Sequence, residues 1–572
     1  MKKIRYITPF LLCCFMVAFL GLSCSKKEPA PDPELITSVQ ELKLANDGET
    51  KAIHIKSNLN WSAVSDGAWC TVTPSSGSPG TVEISLKAEK NTLAESRQAQ
   101  ITFTAGSLSK QIKVTQDPAI VLEISKKSVD VLADGEQITV ELQSSVIYTI
   151  STEQGWISQV AGGSTQTGTT KTETFKIAAN PGLAGRQGTI LFTAGTLTQE
   201  VSINQAAQPA NIAADKTGME SDAPALAQKL HVGWNLGNSL ESAASNTEAS
   251  ETLWGNPPTT KALIDAVKQA GFNTVRIPCA WSGYIVDATT YKISDDWLSR
   301  VKEVVNYCVD NGMYAIVDIH WDGGWLENNP TYAQQEVVNK KQKALWQQIA
   351  LNFRNYDEHL LFAGTNEVHA NYGTPTTENI TVQQSFNQTF VDAVRATGGK
   401  NAWRNLIVQS YNTSITYARD YLKMPVDATA NREMAEVHFY DPWDFCGDEA
   451  SSIYLWGKDY KGNSHTSTWG QEDAVDASFS SMKTNFIDKG IPVILGEYGA
   501  ILRSSLTTGL ADHLKARNYY LNYVTKSAKV HGLVPIYWDN GNTGNNGFGL
   551  FNRTTGEAVN TDAITAIISA AL

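Results

Sequence analysis

From about residue 217 onward, the sequence alternates short apolar runs with longer amphipathic stretches. In one of these stretches, residues 295–310, the apolar side chains recur every three or four positions, which is the spacing of a helix, and Ser294 is placed to cap it. A second helix is predicted over residues 260–269. Eight strand–helix units predict a (β/α)8 barrel. The eight predicted strands lie near residues 231–235, 273–279, 314–320, 360–366, 404–410, 433–440, 492–497 and 533–539.

Polar or aromatic residues stand at the ends of six of these predicted strands. In a barrel of this kind the chemistry takes place at the carboxyl ends of the strands, where the loops form one face. A single glutamate at a strand end would mean little, but six such ends are hard to obtain from core packing alone. The residues concerned are Arg276, His320, Trp321, Asn366, Glu367, His438, Tyr440, Glu497 and Trp538.

Several motifs in this region resemble those of glycoside hydrolase family 5, which are retaining β-glycanases with a barrel fold. The motifs are GWNLGNSL (233–240), WGNP (254–257), GFNTVRIP (271–278), the Asn-Glu pair at 366–367 and GEYG (496–499). The resemblance covers about residues 228–572 and is strongest to subfamily 4, whose members act on xyloglucan, cellulose or mixed-linkage glucan. It implies that Glu367 is the general acid/base and that Glu497 is the nucleophile.

The chemistry of the reaction agrees with that assignment. Retaining hydrolysis needs two carboxyl groups about 5–5.5 Å apart, one protonated and the other ionised. The fourth and seventh strands face each other across a barrel mouth, so Glu367 and Glu497 can converge. Arg276 is predicted to keep Glu497 ionised, because a nearby cation lowers the pKa of a carboxyl group, and Tyr440 is predicted to donate a hydrogen bond to it.

The resemblance also implies a set of substrate-binding residues. Asn366 is expected to contact the sugar 2-hydroxyl, and Trp538 to stack beneath the sugar beside the cleaved bond. Trp321 stands where subfamily members often carry a second histidine, a departure that bears on the shape of a glycone subsite. The full predicted set is Asn235, Arg276, His320, Trp321, Asn366, His438, Tyr440 and Trp538.

Some of these residues have a second interpretation. Arg276 could form a plain salt bridge within the barrel. His320 and His438 could bind a metal ion together, but no third ligand stands at a suitable spacing, so neither a metal nor another cofactor is predicted. Glu436 shares the strand face of His438 and is expected to support that residue. Three tryptophans fit a cleft wall and ordinary packing equally well: Trp254, Trp325 and Trp443.

An internal repeat occupies residues 36–207. ITFTAG (101–106) returns as ILFTAG (190–195), and each copy ends on a glutamine. Apolar and polar residues alternate, which predicts half-buried strands in two small immunoglobulin-like sandwiches. They resemble the BACON modules that precede catalytic domains in Bacteroidetes glycan-degrading enzymes. We interpret them as spacers, with Trp61 and Trp69 packed in the core, although stacking on sugar is the alternative.

The first residues are typical of a bacterial lipoprotein signal. A basic start and an apolar run end at Cys24, the predicted lipidation site, and an ordinary secretory signal is the alternative. The other cysteines include no CxxC pair and are expected to be free and buried, with a disulfide as the alternative in an exported protein. The predicted boundaries are a signal peptide at 1–23, a tether at 24–36, repeats at 37–117 and 118–207, and a catalytic domain at 217–572.

These features together predict a retaining endo-β-1,4-glucanase of plant cell walls, with xyloglucan as the preferred substrate. Cellulose or mixed-linkage glucan is the enzymatic alternative, and a non-catalytic glycan-binding protein or an adhesion role of the repeats is a more distant one. The protein is expected to be a monomer anchored by lipid in the outer membrane, exposed on the cell surface. A net charge of −12 gives no basic surface for nucleic acid, so no such partner is predicted.

Overall fold

The computed structural model describes residues 31–161, 170–180 and 184–572. The predicted signal peptide, Cys24 and the first part of the tether lie outside these residues. No helix in the described ranges combines the length and the apolar character that crossing a membrane would require. Four cysteines of these ranges, in positions 70, 279, 308 and 446, are buried and free, as predicted.

The first repeat consists of two β-sheets that enclose one core. The sheet orders are β1-β3-β7-β5 and β2-β9-β8-β4-β6, for which the strands are β1 (Leu35–Thr37), β2 (Glu41–Leu44), β3 (Thr50–Ser57), β4 (Trp61–Ser65), β5 (Cys70–Thr73), β6 (Ser76–Gly77), β7 (Gly80–Ala88), β8 (Arg97–Ala105) and β9 (Leu108–Gln116). The predicted alternation is confirmed, since Ile84 and Leu86 of β7 are buried while their neighbours are more exposed.

The strands described in the second repeat follow the same order as β1–β5 and β7–β9 of the first. Its sheets are β10-β12-β15-β14 and β11-β17-β16-β13, for which the strands are β10 (Leu122–Ile124), β11 (Ser128–Val131), β12 (Glu136–Ser144), β13 (Thr149–Thr152), β14 (Ile157–Ala161), β15 (Thr170–Ile177), β16 (Arg186–Ala194) and β17 (Leu197–Gln205). The repeat in the sequence is therefore a repeat in topology.

A buried glutamine explains why each copy ends on this residue. The Gln116 amide donates to the carbonyl oxygens of Ala45 and Glu89, at 2.9 and 2.8 Å, and accepts from Arg97 Nε at 2.8 Å. In the second copy, Gln205 accepts from Arg186 Nε at the same distance. One side chain thus satisfies backbone groups of separate strands, which a buried polar group needs.

The aromatic residues of the repeats pack within them. Trp61 is buried against Phe103, with ring centroids 6.4 Å apart. Trp69 is partly buried beneath Arg97, whose guanidinium carbon lies 4.5 Å from the ring centroid. Trp156 takes the same position beneath Arg186 in the second copy. The packing interpretation of Trp61 and Trp69 fits this arrangement.

The C-terminal region contains a closed barrel of eight parallel strands, which confirms the predicted fold. Two short hairpins lie in its loops: β19 (Ala243–Ser245) with β20 (Glu248–Ala249), and β22 (Ile285–Asp287) with β23 (Lys292–Ile293). The barrel strands, in order around the barrel, are β18 (Gly233–Asn235), β21 (Thr274–Ile277), β24 (Tyr314–Val317), β25 (Leu360–Ala363), β26 (Leu406–Ser414), β27 (Glu433–Phe439), β28 (Val493–Tyr498) and β29 (Val534–Tyr537).

Helices surround the barrel. Leu226 and Leu230, in and after the first helix, pack with barrel residues such as Ile316 into one core cluster. Ser294 occupies the N-cap position of the third helix, but its side chain makes no capping hydrogen bond, so that part of the prediction is wrong. The helices are α1 (Ala223–Lys229), α2 (Lys261–Gln269), α3 (Asp295–Val309), α4 (Tyr332–Asn352), α5 (Thr377–Arg395), α6 (Ile415–Tyr421), α7 (Trp443–Cys446), α8 (Glu472–Asn485), α9 (Leu510–His531) and α10 (Thr561–Ala571).

The second repeat packs on the barrel. Arg186 Nη1 lies 3.0 Å from Asp295 Oδ2 at the start of α3, and both side chains are largely buried. The connecting segment is held as well, because Arg354 donates to the Gln208 side chain at 2.6 Å and to the carbonyl oxygen of Pro209 at 2.9 Å. Residues from both sides of the junction therefore contribute to a common interface.

Candidate active site

A cleft of about 870 Å³ opens at the carboxyl ends of the barrel strands. It is lined by charged, hydroxyl and aromatic side chains together, which is the mixed surface that binds carbohydrate rings and their hydroxyl groups. The lining residues are His320, Glu367, Tyr372, Asn412, Ser414, Ile415, Thr416, His438, Phe439, Tyr440, Asp441, Trp443, Ser478, Glu497, Trp538 and Phe548.

Glu367 and Glu497 meet in this cleft. Glu497 lies in β28 and keeps 7% of its side chain exposed, whereas Glu367 follows β25 and keeps 32% of its side chain exposed. An oxygen of each carboxylate and a nitrogen of His438 all lie within 4.8 Å of one another. Glu367 has a φ of 39°, a conformation that costs free energy in a non-glycine residue and is found mainly at functional sites.

Arg276, in β21, is the central cation of the site and is completely buried. Burial opposes its charge, but the surrounding carboxylates outweigh this and raise its pKa above the ordinary value. In turn, the charge of Arg276 lowers the pKa of Glu436 to about 2, although burial alone would raise it. The groups around its nitrogens are Asn366 Oδ1 at 2.8 Å, Asp318 Oδ2 and Glu436 Oε1 at 3.0 Å, and Asn235 Oδ1 and Glu497 Oε1 at 3.1 Å.

Two residues predicted to bind substrate have no exposed surface. Arg276 and Asn235 are both 0% exposed. The Asn235 amide donates to the carbonyl oxygens of Gly496 and Tyr537, at 2.9 and 3.2 Å, while its oxygen accepts from Arg276. Both residues lie inside the barrel, where Arg276 contacts Glu497 directly and Asn235 contacts Arg276. They support the nucleophile and do not contact the substrate, so the substrate-binding prediction is wrong for these two.

Tyr440 and His438 complete the surroundings of the two glutamates. Tyr440 Oη donates to Glu497 Oε2 at 2.9 Å, as predicted. His438 Nδ1 lies 2.8 Å from Glu367 Oε1 and 3.6 Å from Glu497 Oε2, and its Nε2 lies 3.2 Å from Glu436 Oε1. Glu436 thus supports His438, as its position on the same strand face predicted.

The protonation of this group differs from the sequence prediction. Burial opposes the charge of His438, but Glu497, Glu367 and Glu436 outweigh it and raise the pKa of His438 to about 10. For Glu367, burial favours the protonated form, but the hydrogen bond and the charge of His438 prevail and lower its pKa below the ordinary value. In the free protein the proton therefore rests on His438, whereas the role of general acid predicted it on Glu367.

Steric crowding explains why a glycine, Gly496, precedes Glu497. A Cβ atom at Gly496 would lie 2.0 Å from Glu436 Oε1 and 2.7 Å from its carboxyl carbon. These distances are far below van der Waals contact. A side chain at Gly496 would therefore push Glu436 away from both Arg276 and His438.

His320 and Trp538 form one wall of the cleft. Their rings are nearly parallel, at 9°, with centroids 5.7 Å apart. Burial opposes the charge of His320, but Asp318, whose Oδ2 lies 3.2 Å from Nδ1, raises the pKa of His320 to about 9. Of the other predicted residues, Asn366 is 3% exposed, and neither it nor Trp321 belongs to the lining of the cavity.

The remaining tryptophans divide between the two interpretations. Trp443 is 55% exposed and lines the cleft with its ring edge-on to Tyr440. Trp325 is buried, donates to Asp322 Oδ2 at 2.6 Å and lies beneath Lys341, so it packs. Trp254 is exposed outside the lining of the cavity. Tyr372 and Phe548 also line the cleft and Asp318 is a partner of Arg276, and none of the three was predicted, since none belongs to a recognised motif.

The donor set is poorly suited to a metal ion. Among the described residues, Glu367, His438 and Glu497 form the one group of three whose ligand atoms converge. Both ring nitrogens of His438, however, face carboxylates, and at a pKa of about 10 the ring is protonated near neutrality. A protonated imidazole has no lone pair to offer, and binding a metal there would require its deprotonation.

A family model for cellulases, described as glycosyl hydrolase family 5, matches residues 237–544. These residues include both glutamates and seven of the eight barrel strands. The chain belongs to glycosyl hydrolase family 5. It is a glycoside hydrolase, and the family model for BACON, a putative N-terminal binding domain, matches residues 59–117 and 146–206 of the repeats.

Endoglucanases and xyloglucanases are among the relatives of this family 5 chain. It is 40% identical over 455 residues to a xyloglucan-specific endo-β-1,4-glucanase of Bacteroides ovatus. The matched region covers 76% of this chain and 88% of that protein. A solved structure of a Bacteroides ovatus xyloglucanase with a XXXG heptasaccharide is 39% identical, covers 79% of this chain and 100% of that chain, and has a TM-score of 0.61. A broad-specificity endoglucanase of Bacteroides salanitronis is 38% identical over 62% of this chain and 96% of its own, with a TM-score of 0.57.

Proposed function

We propose that the protein is a retaining endo-β-1,4-glucanase that prefers xyloglucan. The observation that carries this proposal is the pair Glu367 and Glu497, which converge within 4.8 Å in an open cleft. Such a short separation leaves no room for a water molecule between a base and the sugar. It therefore favours retention, for which the two carboxyl groups stand about 5–5.5 Å apart, over inversion, for which they stand about 6.5–9.5 Å apart.

The two glutamates take different roles because their surroundings differ. Glu497 accepts hydrogen bonds from Arg276 and Tyr440, which keep it ionised and oriented for attack on the anomeric carbon. Glu367 is bonded to a group that carries a proton, His438, at 2.8 Å. As the glycosidic oxygen approaches, this proton moves to Glu367, which delivers it to the leaving sugar.

Two displacements follow from this arrangement. A Glu497 oxygen forms a bond to the anomeric carbon while the bond to the leaving oxygen breaks and Glu367 protonates that oxygen. Glu367 then takes a proton from water, which attacks the glycosyl ester and releases Glu497. Each displacement inverts the anomeric carbon, so the product retains the β configuration.

The substrate preference rests on the relatives and on the form of the site. The Bacteroides ovatus protein, which extends over more of this chain than the broad-specificity endoglucanase does, is named as xyloglucan-specific. A cleft of about 870 Å³ with aromatic walls at Trp443 and Trp538 also has room for a branched chain. Cellulose and mixed-linkage glucan are the alternatives, since broad-specificity enzymes are also similar to this chain.

A parallel assay on three glucans tests the substrate. We expect the highest kcat/KM on xyloglucan, a lower value on barley mixed-linkage glucan and the lowest on carboxymethylcellulose. NMR of the first products should show the β anomer before mutarotation. Faster turnover on either unbranched glucan would contradict the preference, and initial release of the α anomer would contradict the retaining mechanism.

Replacement of Glu367 by alanine should affect substrates according to their leaving group. Hydrolysis of xyloglucan is expected to fall by about 10²–10⁴-fold, which is the usual contribution of general acid catalysis. Dinitrophenyl β-cellobioside should lose far less in its first step, because dinitrophenolate leaves without a proton. Single-turnover kinetics on both substrates measure this difference, and an equal loss on both would argue against Glu367 as the acid.

We further propose that Cys24 is lipidated, that the protein lies in the outer membrane facing outward, and that the repeats are immunoglobulin-like spacers between lipid and catalyst. The motif that ends at Cys24 and the BACON matches support this proposal. A Cys24→Ser variant should move from the membrane to the soluble fraction in cell fractionation. Continued membrane association of that variant would contradict anchoring through Cys24.

A further inference from the structure

Glu327 is a buried carboxylate beside the active site that takes no direct part in the two displacements. It lies in the loop after β24 and is 5% exposed. Its Oε1 accepts a hydrogen bond from the Asn366 amide nitrogen at 3.0 Å and another from the backbone nitrogen of Trp321 at 2.7 Å. Its carbonyl oxygen accepts from the backbone nitrogen of His369 at 2.8 Å. Glu327 thereby joins the loops that follow the third and fourth barrel strands.

The contact with Asn366 determines which way that amide faces. An asparagine amide has an acceptor and a donor end of nearly equal shape, so its orientation is decided by its partners. Arg276 Nη2 donates to Asn366 Oδ1 at 2.8 Å on one side, and Glu327 accepts from Nδ2 on the other. With a donor at one end and an acceptor at the other, the reverse orientation would lose both bonds. Within the described part of the chain Nδ2 donates to Glu327 alone, which leaves the second N–H of the amide for a ligand.

The contact with Trp321 holds a strained part of the same loop. Trp321 and Asp322 have φ angles of 50° and 52°, which are unfavourable for residues with a side chain. Such conformations persist only where surrounding contacts hold them. The bond from the Trp321 backbone to Glu327 is one of these contacts, so one carboxylate oxygen anchors both the loop and the amide.

We propose that Glu327 is a positioning residue, which orients the Asn366 amide so that its free N–H meets the 2-hydroxyl of the sugar being cleaved. This inference rests on the proposed function, because it requires a sugar at Glu497. Glu327 itself does not belong to the lining of the cleft and acts through Asn366. A contact with the 2-hydroxyl strengthens in the transition state, so its alignment affects kcat more than KM.

The charge of Glu327 is of secondary importance for this role. Burial raises the pKa of Glu327 to about 7. The positive charge of His320 opposes this shift, and the negative charge of Glu367 adds to it. Both hydrogen bonds end on Oε1, and an amide oxygen can accept them in the same way. Glu327→Gln should therefore retain the function, whereas Glu327→Ala and Glu327→Asp should lose it, alanine by removing the acceptor and aspartate by withdrawing it one methylene.

The test compares aryl β-cellobioside with its analogue that lacks the 2-hydroxyl on the sugar bonded to the aryl group. For Glu327→Ala and Glu327→Asp we expect kcat on the normal substrate to fall about 5- to 150-fold, as when a buried polar group loses its hydrogen-bond partner. On the deoxy analogue the two variants should stay within about threefold of the wild type. Glu327→Gln should resemble the wild type on both, and thermal unfolding reports whether each variant is folded.

A second comparison isolates the route through Asn366. In an Asn366→Ala background, Glu327→Asp should have little further effect, because the amide that it positions is gone. Equal losses on both substrates, or full additivity with Asn366→Ala, would overturn the proposal, and so would an unaltered kcat in Glu327→Asp. Failure of the proposed function is recognised independently, from the wild-type protein alone. In that case its first products would lack the β configuration.

Discussion

Glu497→Ala is expected to lower kcat on xyloglucan by about 10⁴-fold or more, the scale seen when a catalytic nucleophile is removed. The glycosyl ester cannot form without this carboxylate, and Glu367 lies on the other side of the anomeric carbon. The fold should survive, because Arg276 keeps Glu436 and Asp318 as partners. Initial rates of reducing-end release measure the loss, and circular dichroism verifies the fold.

Azide should distinguish loss of a nucleophile from general damage. With Glu497 truncated, a small anion can enter the space it leaves and attack the anomeric carbon of an activated aryl cellobioside once. The product should be an α-glycosyl azide, which NMR identifies. Glu336→Ala, at an exposed position of α4, is the matched control and should keep the wild-type rate. Wild-type turnover by Glu497→Ala would refute its role as the nucleophile.

Arg276→Ala is expected to have the largest effect on stability. It would leave Asp318, Glu436 and Glu497 next to one another without their shared cation, and all three carboxylates are buried. Removal of one partner from a buried ion pair typically costs about 3–5 kcal/mol. We expect a loss of at least this size in the free energy of unfolding, together with loss of activity, in urea titrations of the full chain.

Arg276→Lys separates charge from geometry. Lysine keeps one positive charge, but a single ammonium cannot meet partners on several sides as the guanidinium does. It should recover part of the stability and little of the activity, because Glu497 and Asn366 lose their fixed positions. Arg419→Ala, which removes an exposed pair with Asp420, is the control and should change stability by less than about 0.5 kcal/mol. An equally small change for Arg276→Ala would contradict the central role given to it.

The barrel could be predicted because its signal is distributed over the whole C-terminal region. Eight apolar runs at regular intervals, separated by helical periodicity, leave few alternatives, and each polar residue at a strand end then has a defined place. Glu327 and Asp318 could not be found in this way. Glu327 lies ten residues beyond the last residue of β24, and Asp318 faces inward, so each meets Arg276 or Asn366 only through the closure of the barrel.

The protonation of Glu367 could not be predicted for a related reason. The sequence places Glu367 and His438 on strands that are not adjacent in the chain, so nothing local indicates a bond between them. The pKa of His438 is raised by carboxylates from three elements, β27, β28 and the loop after β25. The pKa of Glu367 is set by burial and, against it, by His438, His320 and Arg276, which come from three different strands or strand ends. Motif spacing identifies such residues but not the electric field they produce together.

Gly496 and Glu436 illustrate how positions far apart in a chain can become dependent on each other in evolution. The carboxylate of Glu436 occupies the space where any other residue at 496 would place its Cβ atom. A change at 496 is therefore tolerable only if position 436 becomes smaller, and that change deprives Arg276 and His438 of a partner. Drift at either position alone is blocked, and the two should be inherited as a pair wherever this arrangement of charges is kept.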